Sequence, residues 1–174
     1  MNLQEQLADA MQGKVVVLGI GNPSRGDDAA GSRVVQRISS AAGVSAIDAQ
    51  EVPENYLRYV EDQGPNTIVF VDAVELNSAP GSVALLDDQR TVDYWPSTHR
   101  VPLSLLVDYL KRTTGARIFL IAIQPRETDF LQPMSAEVSS SVERIVALLN
   151  DVLATRNGSA DIESTDFSRG KVPA

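Results

Sequence analysis

Three short apolar runs constrain this chain more than anything else in it: Lys14 to Ile20 (KVVVLGI), Thr67 to Val71 (TIVFV) and Arg117 to Ile123 (RIFLIAI). Each is rich in β-branched residues and lacks the apolar–polar alternation of a strand with one wet face. Each therefore reads as a strand buried on both sides, the kind found where helices cover both faces of a parallel sheet. The sequence between them supplies those helices. Ala30, Val34, Val35, Ile38 and Ala42 recur at helical spacing, as do Leu103, Leu106, Val107 and Leu110 behind Pro102, which suits a first turn. The stripe Val138, Val142, Ile145, Val146, Leu149, Leu153 predicts the longest helix, with Ser135 as its N-cap. A weaker, more polar strand is expected over Val44 to Val52, followed by a short helix marked by Tyr56, Leu57 and Val60 after Pro53. Ser82 to Leu86 follows the Pro80-Gly81 turn too closely after Val71 for a crossover helix, so it is expected as an antiparallel edge strand.

The expected fold is a single α/β domain of three layers, doubly wound, with a mostly parallel twisted sheet of about five strands flanked by helices. A length of 174 residues at 43% hydrophobic content suits one such core. The domain is placed at 14–154. Residues 1–13 are expected to be an N-terminal extension, and the polar, aperiodic stretch 155–174 a disordered tail.

Composition narrows the function. A formal net charge of −8 without Lys/Arg clusters argues against a nucleic-acid partner. The absence of cysteine removes disulfides, thiolate metal sites and a cysteine nucleophile, and fits a reducing, cytoplasmic setting. The polar start MNLQEQLADAMQGK has no signal-peptide pattern, and no run approaches the roughly 20 apolar residues of a membrane helix, so a soluble protein without membrane insertion is expected.

In a doubly wound sheet, ligands bind outside the carboxyl ends of the strands where the winding reverses. With the first strand central and the third beside it, the loop after Gly19 and the end of TIVFV flank one crevice. Topology thus sets Asp28 and Asp72 facing each other. Acidic residues at a helix entrance also serve as caps, so one of Asp27 and Asp28 can cap while the other faces the crevice. A carboxylate directly after a buried strand, as Asp72 is, needs a metal, a cation or backbone N–H groups. The only histidine, His99, lies in Pro96-Ser97-Thr98-His99-Arg100-Val101-Pro102, a loop entering a helix and so a candidate for the same sheet edge. A lone histidine is as readily structural or merely exposed. Two aspartates and an imidazole form a ligand set for a hard or borderline divalent ion. Tyr94 and Trp95 are read as cover for the loop or a partner surface, and Asp87, Asp88 and Asp93 as solvated surface.

Other chemistries find less support. Gly19-Ile20-Gly21-Asn22-Pro23-Ser24 fails as a dinucleotide fingerprint because Ser24 stands where the third glycine is required, and no GK[ST] follows. No GxSxG elbow exists for a serine triad. A glycosidase carboxylate pair remains open, but nothing suggests sugar-stacking aromatics.

The chain resembles the hydrogenase maturation proteases over roughly Val15 to Leu153. Gly19-Ile20-Gly21-Asn22 followed by Asp27-Asp28 and Gly31 matches that family's GxGN…D(D/E)GxG signature. Val71-Asp72-Ala73, the Pro80-Gly81 turn, Thr98-His99, Ile123-Gln124-Pro125 and Met134-Ser135 follow in the same order. Pro53-Glu54-Asn55 and the run from Thr98-His99 through Pro102-Leu103 are most similar to the branch serving formate-hydrogenlyase-type hydrogenases. One departure is Ala29, where the family usually has glycine.

The resemblance implies an endopeptidase that removes the C-terminal extension of a nickel-loaded [NiFe] hydrogenase large-subunit precursor. It implies Asp28, Asp72 and His99 as the metal-contacting and catalytic residues, with Asp27 a candidate residue behind them or a base. The nickel is expected to arrive with the substrate, other divalent ions being able to occupy the site, and the protein to act as a monomer. A non-catalytic maturation chaperone that grips the precursor, or a nucleotide-binding α/β domain, are the alternative readings.

Overall fold

The computed structural model describes residues 1–87 and 101–164. Five strands form one sheet: β1 (Val15–Ile20), β2 (Val44–Gln50), β3 (Thr67–Ala73), β4 (Val83–Asp87) and β5 (Arg117–Ile123). Their spatial order is β2-β1-β3-β5-β4, with every pair parallel except β4 against β5. β2 lies to one side of β1 and β3 to the other, with β5 beyond β3 and the antiparallel β4 at the far edge, which is the doubly wound arrangement expected. β1 and β3 are buried along nearly their whole length, as their unbroken apolar runs require, while β2 is only half-buried at one edge.

Helices cover both faces. Alternate residues of the central strands, Val15, Val17, Val69, Val71, Ile121 and Ile123, point to a layer of α1 (Leu3–Ala10), α2 (Ala30–Val35) and α5 (Ala136–Ser164). The intervening residues, Val16, Leu18, Ile20, Ile68, Phe70 and Leu120, point to α3 (Leu57–Asp62) and α4 (Leu103–Thr114). Two apolar clusters on either side of one sheet make the three layers. No helix among the described residues is long and apolar enough to cross a membrane.

Several boundaries differ from the sequence expectation. The first residues are not an appendage. Asn2 caps α1 in a capping box with Glu5, and Leu7, Ala10 and Met11 are buried in the core. The Thr67 hydroxyl further ties the segment down by donating to the Ala10 and Gln12 carbonyls. α2 stops at Val35 rather than reaching Ala42; the Ser39 N–H is instead bound by the Asn150 side chain, and Ile38 still packs on the core. Pro102 sits just before α4 as its cap, with extended backbone, rather than in its first turn. α5 runs on to Ser164, past the point where a disordered tail was expected to begin. Arg156 anchors it there by donating to the carbonyls of Met11 and Gly13. Residues 165–174 lie outside the described residues.

If α1 belongs to the core, Leu7→Ala destabilises the protein by about 2–5 kcal/mol, as for other fully buried leucines. The midpoint of urea unfolding checks this. A shift no larger than that of a surface substitution would return residues 1–13 to the status of an extension.

Candidate active site

The candidate site is built where β1 and β3 end side by side, Gly19 pairing with Val71. The chain leaves β1 through Gly21, at a φ of 141° that other residues rarely adopt, and a Cβ there would lie 1.6 Å from the Asp28 carbonyl oxygen. This glycine lets the acidic loop fold back against the end of its own strand. Gly31 acts at the next turn: its Cβ would lie 2.0 Å from the Val71 carbonyl oxygen, so only a hydrogen lets α2 lie this close to β3. The spaced glycines of the sequence motif are thus the clearances that bring Asp28 to the sheet edge. Ala29 has a right-handed φ of −73° and is buried, so the missing glycine does not reshape the loop.

Asp27 and Asp28 divide the work. Asp27 is fully buried, and both its oxygens accept. Oδ2 takes the N–H groups of Arg126 (2.7 Å) and Glu127 (3.0 Å) and the Ser135 hydroxyl (2.9 Å), and Oδ1 takes the Ser135 N–H (2.6 Å). The candidate residue behind the ligands or base is therefore the clasp between two strand-end loops. Through Ser135, which caps α5 at the Val138 N–H, it also fixes the start of the longest helix. Asp28 is only partly buried. Its Oδ2 accepts the Asn22 N–H at 2.8 Å, and Oδ1 has no hydrogen-bond partner among the described residues.

Asp72 lies within β3, opposite Ala122 of β5, and is 1% exposed. Strand alternation puts it on the face of Ile68 and Phe70, the side covered by α3 and α4. Asp28 thus lies in the segment that follows β1, and Asp72 near the end of the adjacent strand β3. His99 lies outside the described residues, as do Asp88, Asp93, Tyr94 and Trp95. Among the described residues, no group of three or more His, Cys, Asp or Glu side chains is arranged to hold a metal.

Two further residues at this edge had no role assigned from sequence. Gln124 is buried at the end of β5. Its Oε1 accepts the Leu76 N–H at 2.6 Å, and its Nε2 donates to Glu75 at 3.0 Å, which fixes the loop that follows Asp72. The signal was a polar residue directly after a buried strand, the same that marked Asp72. Glu54, in the turn after β2, has its Oε2 buried without a hydrogen-bond partner among the described residues. A cavity of about 630 Å³ bordered by Leu3, Val83, Arg144 and Leu148 carries none of the candidate residues.

The comparisons agree with this architecture. Residues 30–152 match the model of the hydrogenase maturation protease family. The chain belongs to the hydrogenase maturation protease family. It is 31% identical over 163 residues to a putative hydrogenase maturation protease of Methanocaldococcus jannaschii, covering 87% of this chain and 96% of that one. It is 32% identical over 133 residues to the hydrogenase 3 maturation protease of Escherichia coli K12, covering 75% and 85%. The crystal structure of the [NiFe] hydrogenase maturation protease HycI from Thermococcus kodakarensis superposes with a TM-score of 0.79 at 32% identity, over 86% of this chain and 99% of that one. The chain is accordingly a peptidase.

The two aspartates separate by experiment. Asp27→Asn turns an amide NH2 toward N–H donors and destabilises the protein by about 1.5–3 kcal/mol, read from urea unfolding. Asp28→Asn leaves unfolding within about 0.5 kcal/mol, as expected of a partly exposed group, while abolishing processing activity. The reverse pattern would exchange the roles given to them.

Proposed function

We propose that this protease removes the C-terminal extension of a [NiFe] hydrogenase large-subunit precursor after nickel insertion, with Asp28, Asp72 and His99 contacting the precursor's nickel. The observation that carries the reading is the delivery of Asp28 and Asp72 to adjacent strand ends at the winding reversal of the sheet. The donor chemistry fits a borderline divalent ion: two carboxylates, one with an oxygen that no described residue occupies, and an imidazole in the sequence. The return of the chain supports including His99. Val101 packs against the apolar cluster on the Asp72 face of the sheet. α4 then ends at Gly115, two residues before β5 begins at Arg117, so its other end lies toward the carboxyl edge where Asp72 stands.

When present, the ion supplies Lewis acidity at a scissile carbonyl or water. The chain's own residues orient it. Asn22 fixes the rotation of Asp28, Gln124 holds the loop behind Asp72, and Asp27 locks the two loops to each other. The lack of cysteine suits a cytoplasmic setting and leaves no thiolate to compete for the nickel.

Incubation with nickel-loaded and nickel-free precursor tests the reading. Cleavage of the loaded form alone is expected; equal cleavage of both would remove nickel recognition from the account. Asp28→Ala and His99→Ala are expected to slow cleavage at least about a hundredfold, the several kcal/mol lost with one ligand. Full processing by both variants would instead support a binding role without catalysis.

A further inference from the structure

We infer that Phe130 and Leu131 are the docking residues through which the protein substrate is seated beside the site, an inference that rests on the proposed precursor cleavage. Both lie in the loop between β5 and α5, with 62% and 76% of their surface exposed. Leu131 also has a left-handed backbone, at a φ of 61°. For a non-glycine residue outside Asn and Asp, that conformation is costly. The backbone is held there by the turn that the Gln132 N–H closes on the Asp129 carbonyl at 3.3 Å, and the side chain so presented faces solvent rather than core. Strain and apolar exposure at the same residue are the combination kept where a surface serves something outside the molecule.

The loop is also held still, and held to the site. The Leu131 N–H donates to the Ser24 carbonyl at 2.7 Å, and the Gly26 N–H donates to the Gln132 carbonyl at 3.1 Å. The Asp27 N–H donates to the Glu127 carbonyl at 2.8 Å, and the Asp129 N–H is capped by the Glu127 carboxylate at 2.9 Å. The apolar pair is therefore fastened to the loop that ends in Asp28. A partner resting on Phe130 and Leu131 has its position fixed relative to that carboxylate. A folded protein with an apolar patch next to its cleavable segment can rest on both. Prior ordering of the loop lowers the entropic cost of that contact.

Asparagine tolerates the left-handed region, so Leu131→Asn removes the apolar side chain while relieving the backbone. The test compares wild type, Phe130→Ser and Phe130→Ser/Leu131→Asn on nickel-loaded precursor, with thermal unfolding run in parallel. The double variant is expected to melt at or above the wild-type temperature, to raise KM for the precursor at least tenfold and to leave kcat at saturation unchanged. Phe130→Ser alone, with the backbone at 131 untouched, is expected to raise KM by a smaller factor. A KM within twofold of wild type for the double variant would overturn the docking role while leaving the proposed cleavage standing. A rise in KM accompanied by a fall in melting temperature would assign the effect to folding and overturn it too. Failure of the wild type to cleave the precursor would overturn both readings.

Discussion

The structure depends on one buried carboxylate. Asp27 accepts three backbone N–H groups and a hydroxyl from the segment 126–135, and thereby joins the loop after β1 to the loop after β5. These two loops are separated in the sheet by β3, whose end carries Asp72. A hydrogen-bond set of this kind to an ionised group is stronger than its neutral counterparts and fixes direction as well as distance. Its consequence is a rim of joined loops around the end of β3.

Around that clasp, the remaining polar contacts at the sheet edge serve the same end. Gln124 holds the 75–78 loop, Asn22 sets the rotation of Asp28, and the Ser32 hydroxyl donates to the Gly21 carbonyl. The glycines remove side chains where backbones must touch, and the acidic pair is divided between holding and facing. Two neighbouring aspartates in sequence thus do different physical work because one is enclosed by donors and the other stands partly open.

Much of this was legible in the sequence because it follows from periodicity. The three apolar runs specify buried parallel strands, the short gap after Val71 specifies the antiparallel edge strand β4, and the winding order sets the end of β1 beside the end of β3. What was not legible depends on contacts across the fold. The apolar positions Leu3, Leu7 and Met11 sit at helical spacing, but among polar neighbours they signal only a surface helix, and their burial arises from α5. α2 is shorter than its stripe because a side chain from α5 takes the backbone N–H of Ser39. The division between Asp27 and Asp28 was equally hidden, since the donors that claim Asp27 lie about a hundred residues away. The place of His99 rests on the loop before α4 and on the resemblance.

The central claim is that Asp28, Asp72 and His99 meet at the carboxyl edge of β1 and β3. A crystal structure of the protein soaked with a divalent ion, its site located by anomalous scattering, measures this directly. The account predicts one ion with the two carboxylates and the imidazole at coordination distances of about 2.0–2.2 Å. An ion bound elsewhere, with the three side chains too far apart to share a ligand, would contradict it.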